Sequence, residues 1–284
     1  MIAKPKVTVY ITTHNRCRKL IRAFYSVLLQ DYDNLEIIIS DDGSSDETQF
    51  YGEKLSKKFS NVIYVRNESP RGANSARNNA LNIATGYFVT GLDDDDIFTK
   101  SRISLFLNCW NDQYAFICDN LENRYKNSYR DDFKQNGNQS ISTREMLLTN
   151  NASNQVFTKL EYLNSIGGFN EELKKFQDWD CWLRLSHRYG SGLRMNNKTY
   201  VMYHDEETRV SNNQKNEEAF KILVENNRII YLNFYSNSFI ERYLLEKKPA
   251  NFLDIIHCRN FKEVVRVIRK VKFFRMLKNI LPYA

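Results

Sequence analysis

Residues 87–96 read Tyr-Phe-Val-Thr-Gly-Leu-Asp-Asp-Asp-Asp, so an apolar run ends in four consecutive aspartates, which are predicted to open a helix. Four like charges side by side repel one another, and a nearby cation such as a divalent metal ion would relieve that repulsion. Open α/β sheets place ligands at the carboxyl ends of buried strands, which is where Asp93–Asp96 are expected to lie. The run therefore favours a metal site. The alternative is a solvated turn in which one aspartate caps the following helix.

On either side of this run, the first part of the chain alternates between strand-like and helix-like patterns. Strands rich in β-branched and aromatic residues are predicted at 6–12, 35–40, 62–65 and 87–92. Helices are predicted from apolar periodicity and capping residues at 18–30, 44–59 and 73–85. This alternation predicts an α/β fold in which a mostly parallel sheet is flanked by helices.

The rest of the chain mixes short strands, polar stretches and helices. Strands are predicted at 115–118 and 154–158, and helices at 102–110, from Leu160, at 178–189, near 214–232 and near 236–247. Residues 123–140 are rich in Asn, Tyr, Lys and Asp and are predicted to form a long polar loop or flap. We therefore predict an α/β domain at 1–212 and a helical C-terminal region at 213–284.

Composition excludes several classes of protein. With 284 residues, 42% apolar content, 17 Tyr and 18 Phe, the chain can bury a large core and is not disordered. Its five cysteines are widely spaced, which favours reduced thiols over a disulfide or zinc framework. Walker and Gly-x-Gly-x-x-Gly loops are absent, which disfavours NTPases and NAD-dependent enzymes. Without a signal peptide or an apolar stretch near about 18 residues, a soluble intracellular protein is predicted.

The net charge of +7 comes from the C-terminal tail alone. From His257 onward there are eight basic residues and one acidic residue, which leaves 33 of each in the first 256 residues. The body of the protein is therefore not expected to bind nucleic acid. Apolar residues recur between the cations of the tail, as in helices that lie on an anionic membrane. A helix packed on the protein with a solvated basic face is the alternative.

A polar stretch, Thr12-Thr-His-Asn-Arg16, directly follows the first predicted strand. At the ligand-binding edge of the sheet, His14 could stack on a flat base while Thr12 and Asn15 hydrogen-bond its edge. The alternative is an ordinary polar loop capped by Asn15.

A second stretch, Ser40-Asp-Asp-Gly-Ser-Ser-Asp46, follows the second strand. A carboxylate of Asp41 or Asp42 can accept the N3–H of uracil and would reject cytosine, which has no proton there. A helix N-cap turn would explain Gly43 and the serines, but it would not explain the paired carboxylates.

Three further positions are candidates for chemistry. Arg77 lies about one turn into a predicted helix and could reach a carboxylate of the second stretch or a diphosphate; a purely structural salt bridge is the alternative. Alternate carboxylates at a strand end point the same way, so Asp93 and Asp95 could share a Mg²⁺ or Mn²⁺ ion. Asp178 begins an amphipathic helix, which suits an N-cap or a partly desolvated general base.

Five motifs in succession carry a resemblance to a known family. They are TTHNR after a strand, SDDGSSDET after a strand, RGANSARNNAL, LDDDD after a strand, and GGFNEEL with QDWDCWLRL. In this order, over about residues 5–210, they resemble the bacterial family 2 glycosyltransferases of the GT-A fold. The resemblance implies a catalytic domain at 1–212 that inverts configuration and uses a nucleotide-sugar donor, usually a UDP-sugar.

The resemblance also implies roles for individual residues. The nucleotide-binding candidates are Thr12, His14, Asn15, Asp41, Asp42, Arg77, Asp93 and Asp94. Asp93-x-Asp95 resembles the signature that holds Mn²⁺ or Mg²⁺, with Asp95 as the direct ligand. Asp178 stands in the place of the general base. His204 resembles a histidine that approaches the metal or diphosphate in some relatives, and a core or surface histidine is the alternative.

Two positions depart from the pattern of the family. His14 stands where many relatives have Tyr, which keeps a flat ring but makes it titratable. Gln177 stands where many have Glu before the base, which lowers the local negative charge. Asp180 is therefore kept as a competing candidate for the base.

The reaction implied is an in-line displacement at C1 of the donor sugar, with Asp178 taking the proton of the acceptor hydroxyl. The transferred sugar would be a hexose, glucose or galactose, and the hydroxyl contacts that discriminate it are expected around residues 150–157 and in the 123–140 loop. The acceptor would be a saccharide on a polyprenyl diphosphate, as in O-antigen or capsule synthesis. The basic tail would then hold a cytoplasmic enzyme peripherally on the inner face of the cell membrane.

Two other functions are kept as alternatives. A sugar nucleotidyltransferase would typically carry a Gly-rich loop with Lys or Arg after the first strand, where this chain has TTHNR. A non-catalytic nucleotide-sugar-binding scaffold would not need both Asp95 and a candidate base.

Overall fold

Every residue of two N-terminal strands, Val7–Thr13 (β1) and Leu35–Asp41 (β2), is buried in the computed structural model. The structure describes residues 4–246 apart from Asn127, 132–135, Ser153 and 205–212. Continuous runs of Val and Ile are typical of strands that are covered by helices on both faces. The predicted α/β fold, with parallel central strands flanked by helices, is confirmed.

Further strands of this part of the chain are Val62–Arg66 (β3), Phe88–Asp93 (β4), Ile97–Phe98 (β5), Ile117–Tyr125 (β6), Ser128–Asp131 (β7), Gln139–Ile141 (β8), Phe157–Lys159 (β9) and Gly192–Tyr203 (β10). The helices are Cys17–Leu28 (α1), Thr48–Lys58 (α2), Ala73–Ile83 (α3), Arg102–Cys109 (α4), Thr143–Met146 (α5), Leu160–Ser165 (α6) and Gln177–Tyr189 (α7).

The strands lie in the order β3-β2-β1-β4-β9-β6-β10-β5, with β7 paired to β6 and β8 paired to β10. β1 pairs in parallel with both β2 and β4, so Thr12 lies opposite Ser40 on one side and Asp93 on the other. The chain passes from β1 to β2 and β3, and then returns to the other side of β1 as β4. Such a reversal opens a crevice at the carboxyl ends of the strands, where ligands bind in open α/β sheets.

Buried side chains hold the helices on the sheet. Leu20, Phe24 and Val27 of α1 are fully buried, at the spacing of one helix face. Arg102 of α4 is also buried, and its Nη1 lies 2.7 Å from Oδ1 of Asp119 on β6. Neither member of this ion pair lines the crevice, so its role is structural.

Three local predictions are wrong. The aspartate run does not open a helix, because Asp96 is followed by β5, which pairs with β10. Residues 123–140 are not one long loop, because they include the last residues of β6, the whole of β7 and the first residues of β8. The helix predicted to begin at residue 44 begins at Thr48, because Asp46 instead accepts from the backbone N–H groups of Thr48 and Cys17, each at 3.0 Å.

The chain divides into two compact units, Met1–Ser211 and Asn212–Ala284. In the second unit the described helices are Asn213–Asn226 (α8), Arg228–Leu232 (α9), Asn237–Phe239 (α10) and a π-helix, Ile240–Leu245. In the part of the chain that the structure describes, no helix combines the length and apolar character needed to cross a bilayer. The assignment of functions to 1–212 and 213–284 stays a prediction, and the basic tail from His257 lies outside the described residues.

Candidate functional site

The carboxyl ends of β1, β2 and β4 open into a cavity of about 460 Å³. Ligand pockets usually measure about 300–1,000 Å³, so the cavity suits a small ligand. Its polar wall consists of Thr12, Thr13, His14, Arg16, Asp42, Arg77, Asn154 and the four residues Asp93, Asp94, Asp95 and Asp96. Most of the predicted site residues therefore meet here. The exceptions are Asn15, Asp41, Asp178 and His204, which lie outside this wall.

The loop after β1 holds the His14 ring in a defined tautomer. Nδ1 of the ring lies 2.8 Å from the backbone carbonyl of Asp42, and Nε2 lies 3.0 Å from Nδ2 of Asn15. A carbonyl only accepts and an amide NH₂ only donates, so Nδ1 carries the proton and Nε2 accepts. The ring is thus fixed in orientation at the cavity wall.

Asn15 connects the loops that follow β1 and β2. Its φ of 54° lies in the left-handed region, which Asn tolerates better than most residues. Its Oδ1 accepts from the backbone N–H of Ser45 at 2.7 Å, which joins the loops that follow β1 and β2. The prediction that Asn15 bonds the nucleotide has no support in this geometry, because both ends of its amide are engaged within the loops.

The adjacent aspartates at the end of β2 face different surroundings. Asp42 lines the cavity, and its carboxylate accepts from Asn67 Nδ2 and from the backbone N–H groups of Arg71 and Gly72 at 2.7–2.8 Å. Asp41 is fully buried and accepts from Tyr64 Oη at 2.6 Å. β2 ends at Asp41, so Asp42 already belongs to the loop, and only Asp42 lines the cavity. The role of Asp41 as a nucleotide contact stays a prediction.

The first aspartate of the run is held by three nitrogen donors. Oδ1 of Asp93 accepts from Arg77 Nη2 at 3.3 Å and from Gln155 Nε2 at 3.2 Å. Oδ2 accepts from Asn154 Nδ2 at 3.1 Å. A carboxylate offers about four lone-pair positions, so one remains for a ligand. Asp93 therefore has a fixed position and little freedom to rotate.

The next two aspartates share the Arg16 guanidinium. Arg16 Nη1 lies 3.2 Å from Oδ1 of Asp94 and 3.2 Å from Oδ2 of Asp95. Asp94 is buried, which raises its pKa to about 6 although Arg16 opposes the shift. The Asp95 side chain is 28% exposed and faces the cavity. Of the two, Asp95 is the more accessible to a ligand.

The last aspartate of the run anchors it to β10. Oδ2 of Asp96 accepts from Tyr200 Oη at 2.8 Å, and Oδ1 accepts from the backbone N–H of Tyr203 at 3.0 Å. Burial, followed by repulsion from Asp93 and Asp95, raises the pKa of Asp96 to about 8. Asp96 therefore fixes the run and has little access to solvent.

Arg77 joins the aspartate run to Asp178 of α7. Its Nη1 lies 3.1 Å from Oδ1 of Asp178, and its Nη2 donates to Asp93. It reaches neither Asp41 nor Asp42 in this structure, contrary to the first of its two predicted roles. Burial raises the pKa of Asp178 to about 6, and the Arg77 cation opposes that shift. Asp178 does not serve as a helix cap, because α7 already begins at Gln177.

The competing candidate, Asp180, has a different environment. Its Oδ2 lies 2.7 Å from Arg184 Nη2, one helical turn away, and the side chain is 2% exposed. Like Asp178 it is absent from the cavity wall, but the Asp178 side chain is 22% exposed. Since the ion pair with Arg184 occupies the carboxylate of Asp180, Asp178 is the better candidate for a base.

His204 does not join the aspartates. Its Nε2 lies 2.7 Å from Oδ1 of Asn123, an acceptor, so Nε2 carries a proton and cannot coordinate a metal in this arrangement. Its ring stacks on Tyr125 with a centroid separation of 4.4 Å. Among the described residues, no three Asp, Glu, His or Cys side chains form a ready-made metal cluster. The predicted ligands Asp93, Asp95 and His204 therefore do not converge.

The remaining acidic groups still fit a particular kind of metal site. Mg²⁺ is often bound through one or two carboxylates together with substrate phosphates and waters. Asp95 faces the cavity beside Arg16, and Asp93 keeps one lone-pair position. This donor set suits an ion that arrives with a diphosphate better than one held by the protein alone.

Sequence reasoning missed Tyr200, and it located Asn154 and Gln155 only within the stretch 150–157, where contacts to the sugar were expected. Tyr200 lies 107 residues after Asp93, yet its hydroxyl accepts from the backbone N–H of Asp93 at 3.3 Å. Asn154 and Gln155 lie just before β9, which pairs with β4. A short Asn-Gln pair before a strand is the only local signal, and it does not reveal which strand is the neighbour.

The fold and the cavity define an α/β protein with an acidic cluster at the carboxyl ends of its parallel strands and the half-buried carboxylate of Asp178 nearby. The family model of Glycosyl transferase family 2 matches residues 8–170, more than half of the chain. The chain belongs to this family, and the resemblance found in the sequence is confirmed. It is therefore a glycosyltransferase.

Curated relatives agree with this assignment. WcaA of Escherichia coli (strain K12), named as a glycosyl transferase of colanic acid biosynthesis, is 32% identical over 210 residues, which cover 70% of this chain and 72% of WcaA. The GalNAc(5)-diNAcBac-PP-undecaprenol beta-1,3-glucosyltransferase of Campylobacter jejuni is 34% identical, over 59% of this chain and 56% of its own length. The alignment thus leaves more than two-fifths of the Campylobacter enzyme unmatched.

Solved structures share the fold. TarS of S. aureus, in a crystal structure of residues 1–349 with UDP-GlcNAc, has a TM-score of 0.63 at 19% identity, covering 94% of this chain and 84% of that one. At this level of identity the likeness concerns the fold alone.

Proposed function

We propose that this glycosyltransferase transfers a hexose, glucose or galactose, from a UDP-sugar to a saccharide carried on a polyprenyl diphosphate. The observation that carries the proposal is the state of Asp178 Oδ1. This buried oxygen faces Arg77 at 3.1 Å, yet it accepts no well-aligned hydrogen bond from the described residues. A desolvated carboxylate oxygen without an aligned donor is suited to accept the proton of an acceptor hydroxyl.

The loops after β1 and β2 support a uridine site. The His14 ring is held at the cavity wall and can stack on a base. Asp42 Oδ2 accepts one hydrogen bond, from Gly72, and can accept another from the N3–H of uracil. Thr12 supplies a hydroxyl at the same edge of the cavity. Asp94, beside them, would lie near the ribose.

A divalent ion, Mn²⁺ or Mg²⁺, would be held by Asp95 with Asp93 beside it. Bound there, it would neutralise the charge that develops on the departing UDP. One structural neighbour, the mannosyltransferase PcManGT of Pyrobaculum calidifontis, was solved with GDP-Man and Mn²⁺. Arg16 bridges Asp94 and Asp95, and so keeps both carboxylates in place at the cavity wall.

Asp178 would act as the general base, and configuration at C1 would invert. Its pKa of about 6 leaves it deprotonated at pH 7, and the value is close enough to neutrality for efficient proton transfer. Arg77 holds this carboxylate beside Asp93, which would align the base with the donor.

The names of relatives support the choice of sugar and acceptor. WfaP of Escherichia coli is named UDP-Glc:alpha-D-GlcNAc-diphosphoundecaprenol beta-1,3-glucosyltransferase and is 41% identical over 99 residues. The Campylobacter relative is also named for an undecaprenol-linked acceptor. We propose that this chain likewise acts in surface-polysaccharide synthesis, peripherally at the cytoplasmic face of the membrane. Attachment through the basic tail from His257 is part of this proposal.

The decisive experiment incubates the full chain with Mn²⁺, a panel of nucleotide sugars and a short-chain polyprenyl-diphosphate GlcNAc acceptor. We expect UDP release that requires acceptor and stops with EDTA, and a product one hexose heavier by mass spectrometry. An inverted anomeric configuration by NMR would identify the stereochemistry.

Two outcomes would contradict the proposal. Release of diphosphate from UTP and a sugar 1-phosphate would indicate a nucleotidyltransferase, which family membership already disfavours. Binding of UDP-sugars without turnover on any acceptor would indicate a scaffold.

A further inference from the structure

The cavity runs along the sheet edge from the loops after β1 and β2 to the segment before β9. His14 and Asp42 line the first end, and Asn154 lines the other. In the strand order β2-β1-β4-β9, Asn154 lies on the far side of Asp93 from the β1 loop. If the proposed function is correct, uridine occupies the β1–β2 end, and the donor hexose extends past Asp93 toward Asn154.

Asn154 is oriented by groups of the wall. Its Nδ2 lies 3.1 Å from Asp93 Oδ2 and 3.1 Å from Tyr200 Oη. The Tyr200 hydroxyl is itself fixed, because it donates to Asp96 at 2.8 Å. The amide of Asn154 therefore has a set position at the sugar end of the cavity.

The next residue, Gln155, supports this arrangement from behind. It is 2% exposed, and its Nε2 donates to Asp93 Oδ1 at 3.2 Å. Its Oε1 accepts from Tyr10 Oη at 3.2 Å. Gly91 makes room for it, because a Cβ there would come within 2.1 Å of Oε1. Gln155 does not line the cavity, so it can act only through Asp93.

We propose that Asn154 is a specificity-determining residue that hydrogen-bonds the hydroxyl groups of the donor hexose, and that Gln155 is a positioning residue for Asp93. Both N–H groups of this amide donate to the wall, to Asp93 and Tyr200, so the carbonyl oxygen Oδ1, with its two lone pairs, is the atom that would accept from a hexose hydroxyl. A site built to hydrogen-bond a hydroxyl discriminates against a sugar that lacks it or presents it in another orientation. The Asn154 contact would therefore distinguish UDP-glucose from UDP-galactose, which differ at one hydroxyl.

The test measures calorimetric affinities for UDP and for the preferred UDP-hexose in the presence of Mn²⁺. Asn154→Ala should keep the affinity for UDP within about twofold and weaken the UDP-hexose by about 5- to 10-fold, the loss of one or two hydrogen bonds. The preference for one donor, measured as the ratio of the kcat/KM values for UDP-glucose and UDP-galactose, should move toward 1 by a similar factor. Asn154→Ser, a second variant, should change both quantities in the same direction by less.

One control variant and two variants of Gln155 complete the test. Asn82→Ala removes an exposed amide of α3 and should behave as wild type. Gln155→Ala should lower kcat while leaving the donor ranking unchanged, and Gln155→Glu should not restore kcat because it places a like charge beside Asp93. Thermal unfolding checks that each variant is folded.

Equal losses for UDP and for the UDP-hexose in Asn154→Ala would overturn the inference, as would an unchanged donor ranking. A wild-type chain that binds no UDP would instead overturn the proposed function. The two failures are therefore distinguishable.

Discussion

Arg77 Nη1 lies 3.1 Å from Asp178 Oδ1, and the Nη2 atom of the same guanidinium donates to Asp93 Oδ1 at 3.3 Å. One buried cation thus connects the candidate base on α7 with the first aspartate after β4. The ionisation of Asp178 depends on this contact, because burial raises its pKa and Arg77 opposes the rise. Several consequences of this arrangement can be measured.

Replacing the candidate base should separate chemistry from binding. Asp178→Asn keeps the shape of the side chain but cannot take a proton, so kcat should fall by about 10²–10⁴-fold. The affinity for UDP should stay close to that of wild type, since Asp178 lies outside the cavity wall. Steady-state kinetics and calorimetry measure the two quantities. Unchanged turnover would remove Asp178 from this role.

The pH dependence of kcat/KM should reflect the ionisation of Asp178. Below its pKa of about 6, Asp178 is protonated and cannot accept a proton, so kcat/KM should fall as pH decreases through 6. Above that value the activity should reach a plateau. A pH profile of kcat/KM from 4.5 to 8 measures this limb. If its midpoint lies near 4, a group in ordinary surroundings controls the reaction.

Removing the Arg77 cation should shift the acidic limb of the kcat/KM profile to higher pH. Arg77→Met deletes the charge that lowers the pKa of Asp178, and an opposite charge at this distance is typically worth about 1–3 pKa units. Arg77→Lys, the matched control, keeps a charge but cannot bridge two carboxylates with one planar group, so its shift should be smaller. An acid limb that does not move in Arg77→Met would show that the two residues are not coupled.

Asp95 should govern the response to metal. Asp95→Asn should weaken UDP affinity in Mn²⁺ and leave the affinity measured in EDTA nearly unchanged. Mutation of a residue that only supports a metal ligand typically weakens metal affinity by about 10–100-fold. The loss of a direct ligand should weaken it at least as much. Asp31→Asn, an exposed aspartate outside the cavity wall, is the control. Equal Mn²⁺ dependence in both variants would argue against Asp95 as the ligand.

The buried Arg102–Asp119 pair should affect stability rather than catalysis. Asp119→Ala leaves the Arg102 guanidinium buried without its partner, which should cost about 3–5 kcal/mol of unfolding free energy. Activity per folded molecule should be retained, because neither residue lines the cavity. Urea unfolding measures the first quantity. Asp33→Ala, in the exposed pair with Lys4, should leave the unfolding midpoint unchanged.

The parallel half of the sheet could be predicted from the sequence because local patterns report burial. Val7–Thr13 and Leu35–Asp41 are rich in β-branched residues, and the helix between them repeats its apolar residues at the helical period. Polar residues directly after such strands must lie at one edge of a parallel sheet. That reasoning brought together Thr12, His14, Asp42 and the aspartate run without any knowledge of distances.

The sequence pattern does not indicate which way an individual side chain faces. Asp41 and Asp42 are equivalent in a sequence pattern, but Asp41 ends β2 facing Tyr64 while Asp42 faces the cavity. His204 was predicted near the aspartates from its motif alone, and its ring instead contacts Tyr125 and Asn123. In each case the surroundings of the side chain depend on which segments pack beside its strand.

By itself, the sequence determined the alternation of strands and helices from β1 to β4, the family, and the acidic edge of the sheet, since each follows from local periodicity and motif order. Only the tertiary structure decided that Tyr200, Asn154 and Gln155 surround Asp93, and that Arg77 joins Asp93 to Asp178. The physical reason is that β9 pairs with β4, and β10 pairs with β5 directly after the aspartate run. This pairing brings residues 61–107 positions away beside Asp93, and no local pattern of side chains encodes it.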